Sequence, residues 1–351
     1  MNALLSLRRK ARQFSAGLLA LPLVFVLSSG PVHAAELPAA SSAVPAQPST
    51  QPAQKSARKH RTHQSRRPHH HASASRARKA RTAFSAPSGE LALKSNAALV
   101  IDQDSGETLA VKNPDVVMPI ASITKLMTAL VVLDAKLPMD EVLEISSDDI
   151  DRERNTHSRL SVGTELTRRQ MLLLALMSSE NRAAMALSRN YPGGRTAFVE
   201  QMNLKAKELG MASTHFADPA GLLNGSVSTA RDLHRLVSAA YQQPLIRSDT
   251  TQPQSTVRVK RRTLTFINSN SLVRGTNDWD VELQKTGFTN EAGRCLVMQV
   301  SLAGRRLAMI FLDSVGKMTR YADAARVRQR LELDAKTARP RMTASASGAS
   351  P

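Results

Sequence analysis

Apolar residues change their spacing along the chain, and each change predicts a different kind of segment. An apolar run over residues 16–27 follows a basic start. Residues 36–89 contain almost no apolar side chain larger than alanine, so nothing there offsets the entropy of ordering the backbone. From residue 90 onward, apolar residues recur at the spacings of strands and helices. The pattern predicts one folded domain over residues 90–335, followed by a disordered polar tail over residues 336–351.

The folded domain is predicted to begin with a β-hairpin. Residues 97–101 and 107–111 are strand-like, and Asp104-Ser105-Gly106 between them is a turn signal. Pro119 then interrupts a short extended segment. A continuous apolar run follows as far as Leu133, which predicts a helix with Ser122 in or near its first turn.

Helical spacing dominates the middle of the chain. Thr167 and Gln170 have the spacing of a capping box in front of residues 171–177. Because that run is apolar on nearly every side, it predicts a buried helix. Further helices are predicted over residues 182–189, 195–209 and 228–241, with Gly210 ending the second of them.

The last third of the chain returns to strand patterns. An antiparallel meander and a final helix are predicted over residues 257–267, 279–288, 294–301, 306–312 and 319–333. Strands at both ends with helices between them predict an α+β fold. The expected architecture is an antiparallel β-sheet flanked by helices, with an inserted all-helical subdomain.

Composition and charge narrow the possible functions. Of the net charge of +19, residues 1–89 carry +13, from 14 Lys and Arg against Glu36, and the remainder carries only +6. Aromatic residues make up 3% of the chain, which argues against a base-stacking surface for nucleic acid. Cys295 is the one cysteine, so an intramolecular disulfide is excluded and the domain depends on its hydrophobic core.

Residues 1–35 have the features of a secretory signal peptide. A basic start precedes the apolar run, and Val32-His33-Ala34 has small residues where a signal peptidase reads them, so cleavage is expected after Ala34 or Ala35. An uncleaved membrane anchor is less favoured, because the run is short for a bilayer and contains Pro22. The chain is therefore predicted to be exported, and soluble or at most loosely membrane-associated.

Residues 36–89, called the tether below, are rich in Pro, Ala, Ser, His and basic residues. A solvated linker is the favoured interpretation, since charge runs are usually solvated. The alternative is that the basic part binds anionic envelope polymers through many weak contacts. His69-His70-His71 in the tether could bind a metal loosely. His157, His215 and His234 lack the spacing of metal ligands, so no metal site is predicted.

Candidate chemistry begins with Ser122 and Lys125. Residues three apart share a helix face, so this hydroxyl and amine can meet, and a buried lysine can accept a proton from a serine nucleophile. The pair alone is weak evidence, because Ser56 and Lys59 have the same spacing within the tether.

Two further motifs supply the other groups that acyl transfer needs. Ser179-Glu180-Asn181 follows the predicted buried helix, where Ser179 can relay a proton and Asn181 can hold substrate or Lys125. Lys285-Thr286-Gly287 lies in a predicted strand, where Lys285 offers positive charge to a substrate carboxylate. Gly287 permits close approach of the backbone. The backbone N–H groups of Ser122 and Phe288 would form an oxyanion hole.

These three motifs, in this order, occur in serine β-lactamases and penicillin-binding proteins. Over residues 93–333 the chain resembles low-molecular-mass penicillin-binding proteins of the D-alanyl-D-alanine peptidase family, and most of all their endopeptidase branch. The resemblance implies a β-lactamase/transpeptidase-like fold and a periplasmic, penicillin-sensitive enzyme without a cofactor. Such an enzyme cleaves the peptide cross-links of peptidoglycan through an acyl-enzyme. The implied site consists of catalytic Ser122, Lys125 and Ser179, with substrate bound by Asn181, Lys285, Thr286, Gly287 and Phe288.

Three alternatives stay open at this point. A D-alanyl-D-alanine carboxypeptidase would use the same residues, although carboxypeptidase relatives carry a C-terminal β-domain and an anchor helix that are not recognisable here. A β-lactamase needs a carboxylate that activates water, and nothing in the sequence directs Glu180 or Glu200 to that task. A non-catalytic wall-binding protein would depend on the tether instead of Ser122.

Overall fold

The computed structural model describes residues 91–275 and 279–343, with side chains described as far as residue 337. The predicted signal peptide, the tether and residues 344–351 lie outside these ranges. None of the helices in the described ranges has the length and hydrophobicity that crossing a bilayer requires.

The described chain begins with the predicted hairpin. Strands β1 (Ala97–Asp102) and β2 (Thr108–Lys112) pair antiparallel. The turn is closed by a hydrogen bond from Gly106 N to the carbonyl of Asp102, and Gly106 has a φ of 73°, which glycine adopts without steric cost. This prediction is confirmed.

A long insertion of helices and short strand pairs follows the hairpin. Its elements are β3 (Met118–Pro119), α1 (Lys125–Asp134), β4 (Val142–Glu144), β5 (Glu165–Thr167), α2 (Arg168–Met177), α3 (Asn181–Arg189), α4 (Gly194–Glu208), β6 (Val227–Ser228), α5 (Ala230–Tyr241), α6 (Pro244–Thr251), β7 (Gln254–Val259), β8 (Arg262–Ile267) and α7 (Ser271–Arg274). The capping box predicted at Thr167 and Gln170 is present at the start of α2.

The chain then returns to the sheet. Strands β9 (Asp280–Thr289), β10 (Gly293–Leu302) and β11 (Arg305–Ser314) form the predicted meander, and helix α8 (Thr319–Thr343) follows. β11 pairs with β1, so the five strands lie in the order β2-β1-β11-β10-β9. Strands from both ends of the domain therefore form one open sheet, and β9 is one of its two edge strands.

Both faces of the sheet are buried. Along β1, Ala97 and Leu99 pack into the core shared with α1, α2 and α5, whereas Ala98 and Val100 pack into a second core beneath α8. Strands buried on both faces read as continuous apolar runs, and β10 and β11 have that pattern. The domain is therefore α+β with a sheet flanked by helices, as predicted. The structure shows its layers: the insertion packs on one face of the sheet and α8 on the other.

Three details of the predicted fold were wrong. The insertion is not all-helical, because β3 pairs with β6, β4 with β5, and β7 with β8. Residues 257–267 are not one strand of the meander. They belong to the separate β7–β8 hairpin, whose two-residue turn puts Lys260 at a φ of 53°, where no glycine or asparagine marks a turn in the sequence.

Helix α8 also runs past its predicted end near Leu333 and includes residues 336–343, which were assigned to the disordered tail. Two ion pairs stabilise this part of the helix, where apolar residues no longer recur at helical spacing. Each joins residues four positions apart: Arg328 with Glu332, and Arg330 with Asp334.

Candidate active site

Ser122 lies in a single 3-10 turn, Ala121–Thr124, which leads directly into α1. The turn is anchored by β3, which pairs with β6, and Ala121 has a φ of 48°, a left-handed conformation that is rare for alanine. Such backbone strain is typical of functional sites. One helical turn onward, the Nζ of Lys125 lies 2.7 Å from the Oγ of Ser122, as the spacing predicted.

Lys125 is enclosed, with 1% of the residue's surface exposed. Its Nζ is also 2.7 Å from Asn181 Oδ1 and 2.8 Å from the carbonyl oxygen of Ala220. Burial lowers the pKa of Lys125 from 10.5 to about 7, against the opposing charges of Asp218, Glu180 and Asp151. A substantial fraction of this amine is therefore neutral near pH 7.

The two partners of Lys125 besides Ser122 are both acceptors. When the amine is neutral, its two N–H groups are taken by Asn181 Oδ1 and the Ala220 carbonyl. The nitrogen lone pair is left for the Ser122 hydroxyl, which then donates to it. The three contacts together orient Lys125 as a base toward Ser122.

Ser179 occupies the joint between α2 and α3, and its backbone is also strained, with a φ of 62°. The buried helix α2 ends just before it, and the side chain of Glu180 caps α3 by accepting from the backbone N–H of Arg182. Lys285 Nζ donates to Ser179 Oγ at 2.9 Å. The second and third motifs therefore meet at Ser179.

Lys285 lies on β9 and is fully buried, like Lys125. Its Nζ also donates to the carbonyl of Thr286 at 2.8 Å. Burial first, and the nearby charge of Lys125 second, lower the pKa of Lys285 well below its ordinary value. A carboxylate entering the site would favour the charged form of Lys285, so the residue suits an anionic ligand.

Strand β9 approaches the nucleophile closely at Gly287. A Cβ atom at this position would lie 2.9 Å from the carbonyl oxygen of Ile120 and 3.2 Å from the backbone nitrogen of Ser122. The close approach therefore requires glycine. Because β9 pairs only with β10 within the five-stranded sheet, its other edge faces Ser122 with backbone groups that an extended peptide can bind.

The predicted residues line one cleft of about 210 Å³. Its walls are formed by Ser122, Ser179, Asn181, Thr286, Gly287, Phe288 and Arg320. Lys125 and Lys285 lie behind this surface and reach it through their hydrogen bonds to Ser122 and Ser179. Phe288 is half exposed at the rim, with the guanidinium of Arg294 4.3 Å from its ring centre.

Arg320 is a site residue that the sequence analysis missed. It comes from α8, is 7% exposed, and rests its guanidinium 4.6 Å from the ring centre of Tyr321. Its Nε and Nη1 atoms find no hydrogen-bond partner within the described parts of the chain. A buried cation with unused donors beside Thr286 is suited to a carboxylate.

The loop that supplies the Ala220 carbonyl was also missed. Asp218 holds this loop, because its carboxylate accepts hydrogen bonds from four successive backbone N–H groups, those of residues 220–223, at 2.6–3.1 Å. The loop packs tightly on the Ser122 turn. At Gly221, whose φ is 75°, a Cβ atom would lie 1.9 Å from the carbonyl oxygen of Ala121.

Other candidate groups lie apart from this cleft. A second serine–asparagine pair, Ser188 and Asn190, belongs to the end of α3, and its side chains bond back to the carbonyls of Met185 and Ala186. Cys295 is buried on β10, and burial raises the pKa of its thiol to about 12. Among the described residues, no three potential metal ligands are grouped together.

Comparison with known proteins agrees with the geometry. Residues 81–316 match the family model described as D-alanyl-D-alanine carboxypeptidase. A D-alanyl-D-alanine endopeptidase of Pseudomonas aeruginosa is 52% identical over 250 residues, which is 71% of this chain and 80% of that protein. A D-alanyl-D-alanine endopeptidase of Escherichia coli is 46% identical over 255 residues, covering 72% and 82%.

Solved structures give the same result. A Streptomyces DD-transpeptidase superimposes with a TM-score of 0.64 at 28% identity, covering 69% of this chain and 98% of that one. A penicillin-binding protein of Listeria monocytogenes, solved in a cefotaxime-bound form, superimposes with a TM-score of 0.61 at 32% identity and the same coverage.

Proposed function

The chain belongs to the D-alanyl-D-alanine carboxypeptidase family, and from that membership we propose that it is a penicillin-sensitive D-alanyl-D-alanine endopeptidase. Its substrates are the D-alanyl peptide cross-links of peptidoglycan, and β-lactams acylate it as covalent inhibitors. The observation that carries the proposal is the short contact between Lys125 Nζ and Ser122 Oγ, with the other two Lys125 contacts made to acceptors.

Acylation proceeds in the cleft beside β9. The Oγ of Ser122 attacks the D-alanyl carbonyl carbon as its proton moves to Lys125, so an O–C bond forms and negative charge develops on the carbonyl oxygen. The backbone N–H groups of Ser122 and Phe288 stabilise that charge. When the C–N bond breaks, the proton passes from Lys125 through the Ser179 hydroxyl to the departing amine.

Hydrolysis completes the cycle. Water attacks the acyl carbon and gives a proton to the neutral Lys125 amine. The C–O bond to Ser122 then breaks, and Lys125 returns that proton to the Ser122 oxygen and is neutral again. Throughout, the substrate lies extended along β9 and is held by Asn181 and the Lys285-Thr286-Gly287 strand. Arg320 and Lys285 bind the carboxylate next to the scissile bond, which the unused donors of Arg320 favour.

Labelling with a fluorescent penicillin tests the mechanism. The parent chain is expected to carry one label, located at Ser122 by peptide mapping, and Ser122→Ala is expected to carry none while its melting temperature stays unchanged. Ser188→Ala is the matched control, because that serine belongs to the motif-like pair at the end of α3. Attachment of the label to any other residue contradicts the mechanism.

Endopeptidase and carboxypeptidase activity are separated by substrate. The names of the two relatives at 52% and 46% identity favour the endopeptidase. Digestion of a purified cross-linked muropeptide dimer beside a pentapeptide monomer is the decisive experiment. Loss of the dimer without release of D-alanine from the monomer is expected, and the reverse pattern identifies a carboxypeptidase. Rapid multiple turnover of nitrocefin would identify a β-lactamase instead.

Export and the tether are part of the same proposal. The chain is exported to the periplasm, and the +13 charge of residues 1–89, most of it in the tether, favours binding of anionic envelope polymers. Deleting residues 36–89 is expected to preserve activity on soluble muropeptides but to weaken binding to isolated wall sacculi. That weakening should be largest at low salt, since charge contacts are screened as ionic strength rises. Equal binding by both proteins refutes this role.

A further inference from the structure

The loop between the 3-10 turn at Ser147–Asp149 and β5 contacts the candidate active site through Thr156. Among the described residues, this half-buried side chain makes no hydrogen bond to Ser122 or Lys125. Its Oγ1 lies 2.9 Å from the Nδ2 of Asn181 and 2.7 Å from the Oδ2 of Asp151. These contacts connect Asp151 to Thr156, Thr156 to Asn181, and Asn181 to Lys125.

Asp151 is held as a carboxylate at the start of this chain of contacts. It is 5% exposed, and its oxygens accept hydrogen bonds from the backbone N–H groups of Glu153, Arg154 and Thr156 at 3.0–3.1 Å. Burial alone would raise the pKa of Asp151, but these hydrogen bonds outweigh burial and hold the pKa below its usual value. An ionised carboxylate can only accept, so the Thr156 hydroxyl must donate to it.

The direction of that first hydrogen bond determines the next one. Because the Thr156 proton points to Asp151, only lone pairs of its oxygen face Asn181. The NH₂ end of the Asn181 amide must then face Thr156, and the Oδ1 end must face Lys125. The hydrogen bonds of Thr156 therefore determine the orientation of the Asn181 amide.

The orientation of Asn181 matters for the base. An amide turned the other way would present N–H groups to Lys125 and compete with Ser122 for the nitrogen lone pair. We propose that Thr156, oriented by Asp151, is a positioning residue for acylation that holds Asn181 Oδ1 toward Lys125 and so keeps the amine directed at Ser122. This inference rests on the proposed function, because it assigns a role within that reaction.

The test is the second-order rate of acylation by fluorescent penicillin in the full-length chain. Thr156→Val keeps the shape of the side chain but removes the hydroxyl, and it is expected to slow acylation roughly 10- to 100-fold, as misplacement of a catalytic group does. Thr156→Ser restores the hydroxyl and is expected to stay within about threefold of the parent. Thr164→Val is the matched control. It removes a buried hydroxyl from the same loop, and that hydroxyl contacts Ser161 and not Asn181.

A double-mutant cycle shows whether Thr156 acts through Asn181. In an Asn181→Ala background, Thr156→Val is expected to change the remaining rate by less than about twofold, because the group it orients is gone. Melting temperatures accompany each rate, and Thr156→Ala replaces Thr156→Val in the cycle if the valine variant does not fold.

Three results overturn the inference: an undiminished rate in Thr156→Val beside a labelled parent, equal losses in Thr156→Val and Thr164→Val, or effects that multiply independently in the cycle. Failure of the proposed function is distinguishable, because the parent chain itself would then carry no label, and the inference would fall with it.

Discussion

The lowered pKa of Lys125 predicts a specific pH profile for acylation. With a pKa of about 7, about half of the Lys125 amines are neutral at pH 7, compared with about one in 3,000 at the ordinary value of 10.5. Only the neutral amine accepts the Ser122 proton, so the rate rises with pH through the pKa and then levels off. At pH 5 about 1% of the amine is neutral, and acylation is expected to be about 100-fold slower than on the plateau.

The assay is the second-order rate constant for labelling by a fluorescent penicillin between pH 5 and pH 9 at constant ionic strength. Lys125→Arg is the control for charge without basicity, since arginine stays protonated at every pH in this range, and it is expected to remain unlabelled. The charged groups that act on the pKa of Lys125 are Asp218, Glu180 and Asp151. The charge of Lys125, in turn, helps to lower the pKa of Lys285.

Asp218→Asn sharpens the test. The charge of Asp218 is the largest of the three that raise the pKa of Lys125, so removing it should move the acid limb to lower pH. Damage to the loop alone would reduce the rate at every pH without moving the midpoint. A flat profile between pH 5 and 8, or a midpoint near the ordinary lysine value, would show that Lys125 is not the base.

Three further substitutions test the structure. Arg320→Ala should raise the KM roughly 10- to 100-fold for peptides with a free carboxylate beside the scissile bond, but leave the KM for the matching amides within about twofold. Gly221→Ala should lower the free energy of unfolding in urea by more than about 3 kcal/mol, because the added Cβ would meet the Ala121 carbonyl. Gly106 has nearly the same φ but open space around it, so Gly106→Ala should cost only about 1–2 kcal/mol. Equal losses in the two variants would refute the steric argument. Thr167→Ala should cost about 1 kcal/mol by removing the cap of α2, and an unchanged urea midpoint would argue against the cap.

The parts of the site that the sequence predicted are those whose side chains carry the chemistry. Ser122 and Lys125 could be paired because helix geometry relates residues three apart, and the structure places them 2.7 Å apart. Ser179 and Lys285 are 106 positions apart, and no local rule joins them. Motif order, and the family that it implies, brought them together before the structure did.

The missed parts have physical reasons too. Ala220 contributes a backbone carbonyl, and a carbonyl leaves no mark on residue identity. Arg320 lies on α8, whose pattern indicates a covering helix, and only the packing of α8 on the sheet brings the guanidinium to the cleft. The β7–β8 hairpin was missed because its turn uses Lys260 at a left-handed φ, without the glycine or asparagine that marks such turns.

Within the described residues, no strand pairs with the edge of β9 that lies away from β10. A free strand edge is a template for pairing with any extended chain, including a second copy of this protein. Here the middle of the strand, Leu283–Gly287, is buried, and α6 and the Ser122 turn pack against it. The strand reaches the cleft at Thr286, Gly287 and the exposed Phe288. The segment of β9 that an extended peptide can bind is therefore also the segment that a strand of a second copy would have to reach, and a bound peptide would block that pairing.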